Sequence, residues 1–298
     1  MSKKLLFVYG TLRRHEKNHS ILAKERLAAS QAWINGTMFD TGSGYPTVEL
    51  QGSSMVYGEL YEINEAILPA LDELEGYRDG EEGSLFNRTI CKVHTDIGEY
   101  EAHVYTSGNK KMNKDLIEGG DWRVHQFFRD KLKQELYYFA YGSCMDDERF
   151  AKASVDHLFK EVVGRGTLEN FSMKYTFLVH DGGRGDIVED GGSVEGVLYK
   201  VDWRAFDYLF EREGVAPGWY RPALVDVTTA DNAIIHDVVT FIVIKKDKET
   251  CPPLHYAREI MRGAKPYVSS QYLKNLYNQV ESLQMNQNEL SELKRILE

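Results

Sequence analysis

A chain of 298 residues with 42% hydrophobic content is long enough for two ordinary domains and apolar enough to bury a core in each. Its formal charge of −10 leaves no basic field to hold a phosphate backbone, which argues against nucleic acid as a partner and puts small solutes first. The three cysteines are widely spaced and the nine histidines form no HExxH or Cys-adjacent group, so neither a disulfide framework nor a metal site is expected.

Leu5 to Tyr9 is a short apolar run ended by Gly10, the pattern of a buried strand entering a turn. It is too short for a signal-peptide core or a bilayer span, so the chain is expected in the cytoplasm and off the membrane. A glycine after such a strand lets the N–H groups of Gly10-Thr11-Leu12 turn toward an anionic ligand, although an ordinary strand-end turn has the same sequence. Gly42 to Pro46 reads as a pocket-edge loop, and Val56 to Tyr61 as part of the strand set. A helix is predicted from about Ala66 to Leu74, running into Leu71-Asp72-Glu73-Leu74-Glu75-Gly76 with Gly76 as its left-handed cap. Glu75 there opposes the helix dipole, where stability alone favours Lys or Arg; a solvated surface Glu is the bland alternative. Thr89 to His94 and Ala102 to Thr106 read as strands. Gly119-Gly120 then breaks the chain before a helix from Trp122 to Leu132, with Val124, Phe127, Phe128 and Leu132 on one face.

The pattern then returns. Tyr137 to Tyr141, ended by Gly142, repeats the first strand at an offset of 132 and opens the loop Gly142-Ser143-Cys144. Cys144 is read as structural rather than as a nucleophile, because the first copy has Leu12 at that position and no His lies nearby in sequence. Gly182 to Gly192 lacks the GxGxxG order and opens no helix, which argues against a dinucleotide site; it reads as a mobile pocket-edge loop. Val194 to Tyr199, a helix from Trp203 to Phe210, and Leu209-Phe210-Glu211-Arg212-Glu213-Gly214 repeat their counterparts at an offset of 138. Strands follow at Pro222 to Thr228 and Val238 to Ile244. From Ser269 onward Leu273, Leu276, Val280, Leu283, Leu290, Leu293 and Leu297 mark an amphipathic helix. Asn286 and Gln287 interrupt the seam, which favours packing on its own module over a coiled-coil partner.

Strand, helix and glycine positions coinciding twice in the same order indicate an internal duplication. The expected fold class is α+β: two tandem modules, each a mostly antiparallel, partly closed, barrel-like sheet with few helices. The boundaries are placed at 1–118 for the first module, 119–135 for a linking helix and 136–298 for the second module.

These residues resemble the γ-glutamylcyclotransferase family. Tyr9-Gly10-Thr11-Leu12-Arg13 is similar to the opening motif of its γ-glutamylamine, AIG2-like branch, and Tyr138 to Ser143 to the opening of the other main branch. Val215-Ala216-Pro217-Gly218-Trp219-Tyr220 and the stretch from Pro252 to Tyr272 are similar to that second branch as well. The resemblance implies that Tyr9, Gly10, Thr11 and Leu12, and Tyr141, Gly142, Ser143 and Cys144, hold a γ-glutamyl group, with Tyr220 lining the second pocket. It implies that Glu75 and Glu213 are the catalytic acid/bases, Leu71 to Gly76 matching the Leu-Asp-x-x-Glu-Gly pattern in full and the second copy having Phe210 for the Asp. The implied reaction needs no cofactor: the α-amine of a small γ-glutamyl compound attacks its own γ-carbonyl, releasing 5-oxoproline and an amine or amino acid. Alternatives from other classes are a γ-glutamyl-binding module without turnover, one active and one regulatory copy, and an amidohydrolase releasing glutamate. The sequence leaves the substrate beyond the γ-amide open, and the oligomeric state too, a homodimer included.

Overall fold

The computed structural model describes residues 3–81, 83–130 and 135–298. The chain divides into two compact units, Met1–Lys131 and Leu132–Glu298. The first contains β1 (Lys3–Val8), β2 (Arg26–Asn35), β3 (Thr37–Asp40), β4 (Pro46–Glu49) and β5 (Met55–Asn64), then α1 (Leu68–Glu75), β6 (Phe86–Thr95), β7 (Gly98–Ser107), β8 (Asp115–Leu116) and α2 (Trp122–Arg129). Five of these strands close into a barrel in the order β1-β5-β2-β6-β7, while β4, β3 and β8 form a small separate sheet. Neighbours are antiparallel except β1 and β7, whose parallel contact at Leu6 and His103 seals the barrel. The partial closure expected from the sequence is therefore complete.

The second unit repeats that order with β9 (Leu136–Ala140), β10 (Glu161–Val179), β11 (Gly182–Val201), β12 (Tyr220–Thr229) and β13 (Ile234–Val243). Each takes the place of β1, β2, β5, β6 and β7 in turn, and a parallel pair, β13 with β9, again closes the ring. Between β9 and β10 lies α3 (Asp147–Lys152), and α4 (Trp203–Arg212) corresponds to α1.

Period-2 alternation places the side chains of β1 on opposite faces. Phe7 and Tyr9 join one buried cluster with Ala32, Val56, Val104 and Trp122, whereas Leu6 and Val8 join a second with Leu22, Tyr61, Leu71 and Phe86. Helix α1 enters that second cluster through Leu68 and Leu71, with Pro69 in its first turn where a missing N–H costs nothing.

Three expectations are corrected. The Gly-rich stretch Gly182 to Gly192 is not a loop but the first half of β11, paired with β10. Two of its glycines answer to close packing: a Cβ on Gly183 would meet the Thr250 carbonyl at 2.3 Å, and one on Gly192 the Ser172 hydroxyl at 2.1 Å. The C-terminal amphipathic stretch is two helices, α6 (Ser270–Ser282) and α7 (Gln287–Leu297), preceded by α5 (Leu254–Ala264). Asn286, read above as an interruption, is the N-cap of α7 and accepts from the Glu289 N–H at 3.0 Å. Lastly, the helix predicted to run from Trp122 to Leu132 ends at Arg129, and residues 131–134 lie outside those described. Among the described residues no helix is long and apolar enough to cross a membrane.

Candidate active site

In the first unit β1 leads through Tyr9 into a closed turn. The Arg13 N–H donates to the Gly10 carbonyl at 3.0 Å, and the enclosed N–H groups of Thr11 and Leu12 have no hydrogen-bond partner among the described residues. Tyr9, directly before the turn, is buried and donates its hydroxyl to the Tyr105 carbonyl at 2.6 Å. Asn18 secures the far side, donating its backbone N–H to the Thr11 carbonyl and its amide to Thr11 Oγ1, both at 3.0 Å. Beneath the turn Arg13 is buried between Glu59 on β5, at 3.4 Å, and Asp121, at 2.7 Å. Asp121 is in turn the N-cap of α2, accepting from the Val124 N–H at 3.2 Å.

Glu75 ends α1, and Gly76 follows in the left-handed region at φ +59°, which only glycine adopts cheaply. The helix end is tied down by Asp72, which accepts from the Tyr105 hydroxyl at 2.7 Å and from Arg88 at 2.9 Å. Arg88 also lies over the Tyr77 ring, 5.2 Å from its centroid. Thus positioned, Glu75 meets Tyr9, Gly10, Thr11, Lys17, Asn18, Tyr45, Pro46, Leu74, Leu85 and Phe86 around a cleft enclosing about 480 Å³, open solvent included. Its carboxyl has no hydrogen-bond or salt-bridge partner among the described residues, and burial beside apolar walls pushes its pKa up to about 7.

The second unit assembles the same parts differently. The Met145 N–H donates to the Gly142 carbonyl at 3.1 Å, and Tyr141 donates to the Phe241 carbonyl at 2.6 Å, as Tyr9 does to Tyr105. Gly214 repeats the left-handed cap at φ +62°. Glu213 joins Tyr138, Tyr141, Gly142, Ser143, Cys144, Gly185, Tyr220, Phe241 and Tyr256 around a space of about 310 Å³, open solvent included. The Cys144 thiol donates to Glu213 Oε1 at 3.4 Å, and Arg212 donates to Ser143 Oγ at 3.4 Å. Burial raises the pKa of Glu213, with the Arg212 charge, the Cys144 hydrogen bond and the Arg149 charge pulling the other way. Burial and the Glu213 charge push the Cys144 thiol up to about 12, which keeps it protonated and unsuited to act as a nucleophile.

Two of the differences compensate each other. In the first copy Asp72 holds Tyr105 by a hydrogen bond. At the corresponding positions of the second, Phe210 and Phe241 meet edge to face with ring centroids 5.9 Å apart. The departure of Phe210 from the family pattern is thus matched across the barrel, a polar anchor replaced by an aromatic one. Asp72→Phe alone should cost about 1–3 kcal/mol, since it strands the Tyr105 hydroxyl and Arg88. Asp72→Phe with Tyr105→Phe should recover part of that loss. Thermal denaturation of the two singles and the double checks this, and strict additivity would refute it.

The structure gathers Tyr9, Gly10 and Thr11 with Glu75, and Tyr141, Gly142, Ser143, Cys144 and Tyr220 with Glu213. The Leu12 side chain instead packs into the second cluster of the core, leaving its N–H as the part that can serve a ligand. Tyr45, Pro46 and Gly185 bring both predicted pocket edges to the clefts. Sequence reasoning missed Lys17, Asn18, Phe86, Tyr138 and Tyr256. Tyr256 sits on α5, where its hydroxyl accepts from the Gly185 N–H at 3.0 Å; Tyr220 donates to the Gly185 carbonyl at 2.7 Å. The similarity of Pro252 to Tyr272 to one branch was the only signal for Tyr256. The same stretch holds Gly263, whose missing side chain lets α5 lie against the loop: a Cβ there would meet the Met145 carbonyl carbon at 2.4 Å.

Two closed barrels, each with a Tyr-Gly-hydroxyl turn facing a half-buried Glu at a helix end, define a tandem-repeat chain of one module type. The family profile for gamma-glutamyl cyclotransferase, AIG2-like, matches residues 6–124, and that for the AIG2-like family matches residues 193–276. The chain is 43% identical over 288 residues to YkqA of Bacillus subtilis (strain 168), named as a candidate gamma-glutamylcyclotransferase, covering 94% of this chain and 98% of that protein. The crystal structure of YkqA superposes with a TM-score of 0.85 at 41% identity, covering 96% of this chain and all of that one. The gamma-L-glutamyl-butirosin B gamma-glutamyl cyclotransferase of Niallia circulans is 42% identical over 124 residues, covering 41% of this chain and 76% of that enzyme. The chain therefore belongs to the gamma-glutamylcyclotransferase, AIG2-like family, in two tandem copies.

Proposed function

We propose that each cleft binds the γ-glutamyl end of a small γ-glutamyl amide and cyclises it to 5-oxoproline, releasing an amine or amino acid. The observation that carries this reading is Glu75: an acid without a partner among the described residues, its pKa near 7, facing a turn whose N–H groups are free to receive an anion. A desolvated carboxyl without a partner is a standing cost to the fold, and such groups concentrate where chemistry needs them. In the reaction the carboxylate takes a proton from the substrate α-ammonium, and the freed amine attacks the γ-carbonyl carbon. The turn N–H groups receive the oxyanion, the Glu returns its proton to the amide nitrogen as the C–N bond breaks, and the carboxylate so regenerated takes the remaining extra proton from the ring nitrogen, leaving a neutral lactam. Holding the substrate folded supplies much of the rate. A pKa near 7 suits a group that must be base and then acid within one turnover.

The test is the product formed by the intact chain from a panel of γ-glutamyl amino acids, γ-glutamyl amines and glutathione. Release of 5-oxoproline is expected. Release of glutamate would replace the reading with hydrolysis, and tight binding without any product would replace it with a binding module. The second cleft offers a finer check. Cys144→Ala removes the thiol that donates to Glu213, so in a Glu75→Gln background the acid limb of the pH–rate profile should move to higher pH. An unmoved limb would mean that Glu213 is not the group titrating.

A further inference from the structure

From the one Lys or Arg that lines the first cleft among the described residues, we infer that Lys17 makes this site selective for γ-glutamyl compounds whose departing amine carries a carboxylate. The inference rests on reading the cleft as the γ-glutamyl site. Lys17 borders the same space as Glu75, Tyr45 and Phe86. Its segment is pinned to the turn by the two hydrogen bonds of Asn18 to Thr11. The Lys17 ammonium donates to the Gly44 carbonyl at 3.3 Å and has no carboxylate partner among the described residues. Two other cations that hold this site together are neutralised: Arg13 lies between Glu59 and Asp121, and Arg88 on Asp72.

The charges of the substrate sort themselves against this arrangement. The glutamyl end has an ammonium, which Glu75 must deprotonate, and a carboxylate. A γ-glutamyl alkylamine has no further charge, whereas a γ-glutamyl amino acid has a second carboxylate beyond the scissile amide. Lys17, without a carboxylate partner among the described residues, stands at the wall of the cleft where it can meet it. In the second cleft the Arg212 guanidinium stands behind the lining, donating to Ser143 Oγ at 3.4 Å. The position matching Lys17 at the same offset, Arg149, is absent from the cleft wall and paired with Glu259 on α5, and no Lys or Arg lines that space among the described residues. The two sites would then divide substrates by the charge of the departing amine.

Two compounds isolate the carboxylate: γ-glutamylalanine and γ-glutamylethylamine differ by that group alone. In a Glu213→Gln chain, where the first site alone keeps its Glu, 5-oxoproline should form from γ-glutamylalanine with a kcat/KM about fivefold above that for γ-glutamylethylamine, the span expected of one exposed ion pair. Lys17→Met should bring the ratio near one, Lys17→Glu should invert it, and raised salt should erode it. A ratio indifferent to both substitutions overturns the inference. So does an equal fall for both compounds, which would place Lys17 on the glutamyl carboxylate instead. Calorimetric binding of the pair to the Glu75→Gln/Glu213→Gln chain, with and without Lys17→Met, keeps the two readings apart. A Lys17-dependent preference in binding with no turnover anywhere would sink cyclisation and leave the selectivity standing; no such preference in either assay sinks the selectivity.

Discussion

Glu75→Gln, placed in a chain that already carries Glu213→Gln, is expected to lower 5-oxoproline release by about 10²- to 10⁴-fold, the usual worth of a positioned acid/base. Gln keeps the shape and the neutral polarity of the protonated acid, so a loss of this size reports the proton and not the packing. With Glu75 intact, the acid limb of the first site should centre near pH 7, where burial holds its carboxyl. The same shift makes a prediction about folding with a fixed sign. Unfolded, the group returns to about 4.5; between that value and about 7 the folded chain keeps a proton that the unfolded chain has lost. Stability from this group is therefore fully present below pH 4.5 and declines as pH rises through 7. Glu75→Gln should flatten that decline, so the inactive variant should melt higher than the parent above pH 7 and lose its advantage toward pH 4.5. A melting difference independent of pH would mean that the Glu75 carboxyl is not desolvated.

Arg13→Met is expected to cost about 3–5 kcal/mol, because it leaves Glu59 and Asp121 in the interior without their cation. All three side chains are nearly inaccessible to solvent. The second copy solves the same position without charge: Met145 and Val197 stand where Arg13 and Glu59 stand in the first, and both are buried. Its turn is anchored from the other side, by Asp146 to Arg262 on α5 and by the close approach of Gly263. Arg13→Met with Glu59→Gln and Asp121→Asn should therefore regain most of the lost stability, Gln keeping an acceptor for the Arg14 N–H and the Tyr61 hydroxyl and Asn keeping the cap of α2. Urea unfolding of the full chain measures both steps. A triple variant no more stable than Arg13→Met would mean that the loss comes from packing and not from stranded charge.

Much of this was legible before any coordinates, and the reasons are local. A strand ended by glycine, and a Glu before a left-handed glycine, are written in consecutive residues, so Gly10, Gly142, Glu75 and Glu213 stood out at once. The duplication was legible because two separate motifs shared one offset. What failed depended on partners far along the chain. Gly182 to Gly192 looked like a loop because glycine usually marks one; here Gly183 lies against the Thr250 carbonyl and Gly192 against Phe171 and Ser172 of β10, too close for a side chain at either. The break between α6 and α7 was hidden by apolar residues that keep helical spacing on both sides of it, although Asn286 was an N-cap in plain sight. Lys17 and Tyr256 reach their clefts from loop and helix positions with no sequence signature of their own.

The paired substitutions also bear on how the repeat has stayed two distinct copies. Recombination between the halves of such a gene tends to make them alike, and here each partial exchange would join mismatched parts. A crossover falling between the turn and the fifth strand would set a buried guanidinium opposite valine, or a buried glutamate opposite methionine. One falling between the helix end and the last barrel strand would set Asp72 opposite a ring with no hydroxyl to offer. Each hybrid begins with an unpaired polar group in its interior. The copies are insulated from each other by their own cores, and that leaves each cleft free to diverge on its own.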